Sequence, residues 1–259
     1  MIRYAVAIAG AGTAGASLAA EIAGEASVLI LEAEDQPGYH STGRSAAFWS
    51  ETYGGPFIQP LTSASHDFLV APPPGFSQRP FLRPRGAVHL SERGDTALLD
   101  QMLREFEGLV DLQRLDRSAL AALVPGLRPD WSCGVLESSC SDIDVAGLHQ
   151  AYLKAARVAG ARLIFDARLE RARRTGEGWR LETGAGGVQA GVIVNAGGAW
   201  ADQVAVAAGQ GSLDIRPYRR TMVQLRVDPP APADLPLVVG ARPPLYFQPQ
   251  GGGRIRPGP

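Results

Sequence analysis

The chain opens on Tyr4–Ala9 (YAVAIA), a continuous apolar run, and passes straight into Gly10-Ala11-Gly12-Thr13-Ala14-Gly15. An unbroken apolar run ending in glycine reads as a buried parallel strand. Thr13–Ala23 is alanine-rich and reads as a helix, and Ser27–Glu32 (SVLILE) reads as a second buried strand. Strand, glycine turn, helix and strand within about thirty residues make a βαβ unit with G-x-G-x-x-G at its first turn. Each glycine answers a separate steric demand. Gly10 permits the tight turn, Gly12 lets a pyrophosphate approach the backbone, and Gly15 lets helix and strand pack closely. Phosphate charge then meets the N–H groups and positive dipole end of the helix. Glu32 closes the second strand about twenty residues after the first glycine, where an acid accepts hydrogen bonds from a ribose diol. The opening segment is therefore expected to hold the ADP part of a dinucleotide. The acid suits an unphosphorylated ribose, since it would repel a 2′-phosphate.

A nicotinamide enzyme usually continues with further βαβ repeats at short spacing. Here the next parallel-type strand is Val188–Asn195, which leads into Ala196-Gly197-Gly198-Ala199-Trp200 and a helix over Ala201–Ala208. That long excursion predicts a flavoprotein with FAD as cofactor and an inserted domain. Within it the spacing predicts helices over Gln59–Val70, Thr96–Val110, Asp116–Leu123 and Val145–Ala159, and strands over Gly86–Leu90, Arg162–Phe165, Leu169–Arg174 and Trp179–Glu182. From Ile215 strands predominate, over Arg219–Val227, Leu235–Val239 and Leu245–Gln248. Pro249–Gly253 reads as a turn and Arg254–Arg256 as the start of a hairpin partner. A partner that short would pair poorly and leave an exposed edge, so the chain reads as C-terminally truncated.

Composition narrows the function classes. A net charge of −1 gives no polybasic surface for nucleic acid or membrane. Two cysteines make no disulfide scaffold, and no Cys/His spacing suggests a metal site. No stretch approaches the ~18 apolar residues of a membrane-spanning helix, and the N-terminus lacks a secretory pattern. A soluble, cytoplasmic enzyme acting on a small molecule is expected.

Gln36-Pro37-Gly38-Tyr39-His40-Ser41-Thr42-Gly43-Arg44-Ser45-Ala46-Ala47 resembles the flavin loop of the glycine oxidase/D-amino acid oxidase family, most nearly its D-arginine dehydrogenase-like members. Asp142-Ile143-Asp144, Leu148-His149-Gln150 and Val194-Asn195-Ala196-Gly197-Gly198-Ala199-Trp200 are similar to the same branch, in register to about Phe247. The resemblance implies an α/β fold of the glutathione-reductase kind. A FAD-binding Rossmann domain (1–80 and 145–210) would interleave with an antiparallel-sheet substrate domain (81–144 and 211–259). It implies that Ser41, Thr42, Arg44, Ser45, Ala46 and Ala47 lie along the ribityl chain and flavin ring. Leu169 would present backbone to the adenine, and Ala196, Gly197 and Gly198 would pass near the pyrophosphate.

The implied reaction is oxidative deamination of a D-amino acid. Hydride moves from Cα to flavin N5, and the imine hydrolyses to a 2-oxo acid and ammonia. Arginine is the natural grip for the substrate carboxylate, because its planar fork binds two oxygens at once. Arg220 is the candidate, with Tyr53 and Tyr246 placed to hydrogen-bond the substrate or cover it. Against this stands a plainer reading of Arg220 as an exposed strand residue and Tyr246 as core packing. Phe81–Leu90 (FLRPRGAVHL) holds no acid to offset a basic substrate, and Phe48 and Trp49 add apolar surface, so neutral or apolar D-amino acids are favoured. Relatives of this kind continue further and supply another carboxylate-binding arginine, so weak activity is expected if the chain ends here. Another small amine such as glycine or sarcosine, or an inactive nucleotide-binding remnant, are the alternatives. The electron acceptor is not specified. His40 reads as structural, and His66, His89 and His149 as surface residues.

Overall fold

The N-terminal apolar run becomes the strand Arg3–Ala9, with Ala7 and Ile8 fully buried. It pairs in parallel with Val28–Leu31 on one side and Gly186–Asn195 on the other. Val28–Leu31 pairs, again in parallel, with Arg162–Ile164. Every residue of Val28–Leu31 is buried, as a strand covered on both faces requires. An antiparallel meander of Leu169–Thr175 and Gly178–Thr183 extends beyond Gly186–Asn195 and completes a six-stranded sheet. Strand alternation divides the core. Ile8, Val28 and Ile30 pack with Ala16, Ala19 and Ala156 of the helices Thr13–Ile22 and Val145–Val158. Ala7, Ala9, Leu29 and Leu31 face the opposite way, towards Leu169, Leu181 and Ala190.

The computed structural model describes residues 2–92, 95–219, 221–240, 245–250 and 252–258. They divide into two compact units that the chain visits alternately. Unit 1 comprises Met1–Ala46, Pro73–Phe81 and Asp144–Tyr218; unit 2 comprises Ala47–Pro72, Leu82–Ile143 and Arg219–Pro259. Residues 47–72, which the sequence reading put with the nucleotide-binding segment, group with unit 2. The cause is local: Phe48–Trp49 pairs with Ser141–Ile143, whose other edge pairs with Leu82–Pro84.

Unit 2 is built on a seven-stranded sheet in the order Leu225–Arg226, Arg254–Gly258, Leu245–Gln250, Leu237–Gly240, Ala87–Glu92, Trp131–Glu137, Leu112–Leu115. The sheet is mixed, where an antiparallel one was expected. Leu237–Gly240 runs parallel to Ala87–Glu92. The chain reaches it only after the excursion Asp144–Tyr218, so no hairpin dictates its direction. Val88, Leu90, Leu120 and Val238 form the core on one side.

Three other expectations change. The helix over Gln59–Val70 is two short helices, Gln59–Ala64 and His66–Val70. Between them the Ser65 hydroxyl donates to Thr62 O, which also accepts from Trp49 Nε1. Those side chains compete with the helical ladder at the break. Of the strand expected over Arg219–Val227, the described residues show Leu225–Arg226, which the partner strand matches at Ile255 and Arg254. The last hairpin strand, by contrast, is longer than read. Arg254–Gly258 meets Leu245–Gln250 at five positions and Leu225–Arg226 on its other edge, so it is paired on both sides.

Candidate functional site

The carboxyl ends of the parallel strands, where ligands bind in sheets of this type, open into a cleft in unit 1. Its first wall is the glycine turn. Gly10 N donates to Leu31 O at 2.8 Å, and Ala196 N to Ala9 O at 2.9 Å, which draws two turns together. Gly10 stands at φ +111°, and a Cβ there would lie 2.4 Å from Ala196 O, so no side chain fits. The opposing turn is shaped by Asn195, whose Nδ2 donates to Ala201 O at 2.7 Å while Oδ1 accepts from Gly197 N at 3.1 Å. At Gly12 a Cβ would come 3.3 Å from Thr42 Oγ1. That hydroxyl accepts from Thr13 N at 3.1 Å, above the start of the helix. Gly15 does not line the cleft; a Cβ there would sit 2.0 Å from Gly10 O, so it serves close packing beneath the turn.

Glu32 is buried. Its Oε2 accepts from Ala11 N at 3.0 Å and its Oε1 from Glu34 N at 3.1 Å. Ala167 N in turn donates to Glu32 O at 2.8 Å, which brings Arg168 and Leu169 to the wall beside it. His40 meets Glu34 Oε1 at 2.8 Å, and its ring lies 4.3 Å from Trp200. This makes a polar and aromatic rim that the sequence reading did not foresee.

Unit 2 carries a second constellation. Phe48 is flanked by Tyr53, at a ring separation of 5.7 Å, and by Tyr246 at 6.1 Å. The Tyr246 hydroxyl donates to Met222 Sδ at 3.4 Å. Close in sequence, Ser50, Glu51 and Thr52 converge on Glu137, which is 0% exposed. Its carboxylate accepts from Ser50 Oγ at 3.0 Å, Thr52 Oγ1 at 2.6 Å and Glu51 N at 2.7 Å, with His89 Nε2 at 3.4 Å. Burial pushes the Glu137 carboxyl up, but the hydrogen bonds from His89, Thr52 and Ser50 outweigh it, and the net pKa is lowered. The same competition lowers Asp142, where burial opposes hydrogen bonds from Arg85 and Arg83. Arg85 reaches Asp142 through Nε at 2.5 Å and Nη2 at 2.6 Å, and also donates to Leu235 O. Cys140 is buried, and burial together with the Glu137 and Asp142 charges pushes its thiol up to about 12, so it remains protonated. Among the described residues no three His, Cys, Asp or Glu side chains converge to hold a metal, and no helix is long and apolar enough to cross a membrane.

Residues 5–259 match the family model described as FAD dependent oxidoreductase. The chain belongs to this family. Among solved structures it is similar to glycine oxidase from Geobacillus kaustophilus, at 25% identity and a TM-score of 0.85, over 99% of this chain and 71% of that one. It shares its fold with L-proline dehydrogenase from P. horikoshii, at 17% identity and a TM-score of 0.80, over 99% of this chain and 69% of that one. The same fold recurs in L-alpha-glycerophosphate oxidase from Mycoplasma pneumoniae, solved with FAD bound, at 13% identity and a TM-score of 0.79, over 100% of this chain and 71% of that one. The mixed α/β architecture expected from the sequence is that of these flavoproteins, and FAD is the family's cofactor.

The unit 1 cleft fits that cofactor's nucleotide half on stereochemical grounds. Its glycines stand where a Cβ would close the turn, and a carboxylate stands at the end of the second strand. Of the sequence-derived cofactor residues of this flavoprotein, Gly10, Gly12, Glu32, Ser41, Thr42, Leu169, Ala196, Gly197 and Gly198 line the cleft. Arg44, Ser45, Ala46 and Ala47 do not; the Arg44 guanidinium instead lies 4.4 Å over the Tyr39 ring. Tyr53 is 67% exposed and Tyr246 is half-buried, on either side of Phe48. Arg220 lies outside the described residues. Sequence reasoning missed Glu137, a strand residue with no motif around it, and misplaced two histidines. His89 is half-buried beside Glu137, and His149 is buried. The signal available for His149 was its helical phase: it follows Leu148 and precedes Leu153 and Ala156, all on the inward side.

Proposed function

We propose that this flavoprotein oxidises the amine-bearing carbon of a D-amino acid with a neutral or apolar side chain. When bound, FAD supplies the two-electron acceptor for this chemistry. The residues of the chain bind and orient. Gly10, Gly12 and the turn Ala196–Gly198 would receive the pyrophosphate, Glu32 the adenosine ribose, and Leu169 the adenine. Phe48, between Tyr53 and Tyr246, would pack against the substrate side chain, and the two phenol hydroxyls would meet its polar end. Arg220 would grip the carboxylate.

The observation that carries the substrate class is the state of two acids in unit 2, Glu137 and Asp142. Glu137 is fully buried with its oxygens on Ser50, Thr52 and Glu51, and Asp142 is taken up by Arg83 and Arg85. Neither is left to balance a cationic side chain, so a basic amino acid would be desolvated without a partner. The paired arginines are equally unavailable as a carboxylate clamp. Glycine is the second reading, favoured by the likeness to glycine oxidase at 25% identity.

The test is a visible absorption spectrum of the purified chain under anaerobic conditions, before and after addition of single amino acids. Bleaching of the flavin band by D-alanine, D-valine or D-phenylalanine, and not by D-arginine, is the expected result. Bleaching by glycine alone selects the second reading. Bleaching by D-arginine or D-lysine in preference to neutral amino acids overturns the side-chain argument.

A further inference from the structure

His149 lies on the helix Val145–Val158 and is only 3% exposed, which asks what a buried imidazole does there. Its Nε2 is 2.8 Å from Ala11 O. A carbonyl oxygen only accepts, so Nε2 carries the proton and donates. On the other face of the same residue, Ala11 N donates to Glu32 Oε2 at 3.0 Å. Ala11, the middle residue of the first glycine pair, is itself fully buried. Both of its backbone polar groups are thus held by buried side chains, one from the end of the second strand and one from a helix far along the chain.

The imidazole has a second contact. A Cβ on Gly38 would come 2.8 Å from His149 Cε1, so only a glycine passes the ring edge. Gly38 stands at φ +72° and its carbonyl accepts from Gly43 N at 2.7 Å, closing the turn that brings Thr42 over the Thr13 amide. One side chain therefore braces the glycine turn and the start of the 38–43 turn together.

We propose that His149 is a positioning residue for the cofactor: with Glu32 it clamps the Ala11 peptide and holds the Gly10–Gly15 turn in its phosphate-receiving shape before FAD arrives. This rests on the reading that the turn receives the FAD pyrophosphate. A turn already in its bound shape loses less conformational freedom on binding, so the brace is felt as affinity without His149 touching the cofactor. Removing the donor leaves Ala11 O buried and unpaired, and the turn relaxes to satisfy it.

The experiment is FAD affinity, by titration of the FAD-free chain, in His149→Phe, His149→Gln and Gly12→Val. Phenylalanine keeps a planar ring without a donor, and glutamine carries an N–H at similar reach. His149→Phe is expected to weaken FAD binding about ten-fold or more, and His149→Gln to stay within about three-fold of wild type, with similar melting of the two FAD-free variants. Wild-type affinity in His149→Phe, or equal losses in both variants, overturns the proposal. Wild-type affinity in Gly12→Val sinks the reading of the turn itself. Loss in Gly12→Val with retention in His149→Phe sinks only the role of His149. Hydrogen exchange on the FAD-free wild-type chain needs no variant and tests whether the turn is held before FAD arrives. The Ala11 amide is expected to be protected already, and protection that develops only after FAD is added overturns the preformed turn.

Discussion

In unit 1 the cleft is shaped by backbone: Gly10 against Ala196 O, Gly15 against Gly10 O, and Ala11 held by Glu32 and His149. In unit 2 the cluster is shaped by side chains: Ser50, Thr52 and His89 turned onto a carboxylate that no solvent reaches. A cleft walled by backbone tolerates almost no added atom. A cluster made of side chains tolerates changes of shape but depends on one ionised group. The two should therefore fail under different insults.

The largest effect is expected at the backbone. Gly15→Val would drive its Cβ into Gly10 O, at 2.0 Å before any relaxation. A loss of about 3 kcal/mol or more in urea unfolding is expected, together with loss of bound FAD. A folded Gly15→Val chain that binds FAD normally would break the comparison at its root. Next comes Glu137→Leu, which leaves the donors of Ser50, Thr52 and Glu51 without their acceptor. About 2 kcal/mol is expected. Hydrogen exchange should rise in 47–72 and 87–92 and not in 3–31. Exchange rising equally in both units would show that the cluster is not a local device.

Acid sharpens the contrast without mutation. Glu137 and Asp142 have lowered pKa values because hydrogen bonds to their ionised forms outweigh burial, and both belong to unit 2. A carboxyl held low in the fold stabilises it fully above its unfolded-state value, near pH 4. That contribution drains away as pH falls through the lowered value. Among the described residues the one other lowered carboxyl, Asp202 in unit 1, lies at the surface and is bonded to Ser212 and nearby backbone, so it contributes little. Below about pH 4, amide exchange followed by mass spectrometry should accelerate first in unit 2. Earlier loosening of the Arg3–Ala9 and Val28–Leu31 strands would contradict this.

The same division governs what the sequence makes legible. G-x-G-x-x-G and Glu32 work through backbone geometry at fixed local spacing, so the turn, its strand and its helix can be read from residues 4–32 alone. The Glu137 cluster joins residues that meet only because Trp131–Glu137 pairs with Ala87–Glu92, and periodicity did not mark Trp131–Glu137 as a strand at all. The segment Arg219–Val227 failed for the complementary reason. Its residues suit a strand, but among the described ones only Leu225 and Arg226 find a partner, and β-structure follows the partner more than the propensity. His149 was misread because one polar residue in a helix is by default assigned outwards, whereas its acceptor, Ala11 O, is supplied by a turn far away in sequence.

The smallest expected effect bears on the aromatic group. Tyr246 spends its hydroxyl on Met222 Sδ at 3.4 Å, a weak acceptor, and its ring on Phe48. A phenol whose partner among the described residues is a thioether gives up little in stability if the hydroxyl is removed, so Tyr246→Phe should melt within about 0.5 kcal/mol of wild type. If the hydroxyl instead turns to the polar end of a substrate, the loss appears in catalysis. KM for a neutral D-amino acid should then rise about five-fold, roughly 1 kcal/mol, with kcat little changed. Uniform binding has that signature, since the contact exists before and during the reaction alike. A fall in kcat at constant KM would mean that the hydroxyl acts only in the transition state. No kinetic change at all would leave Tyr246 as packing for Phe48, and would shift the search for the substrate's polar contacts to Tyr53.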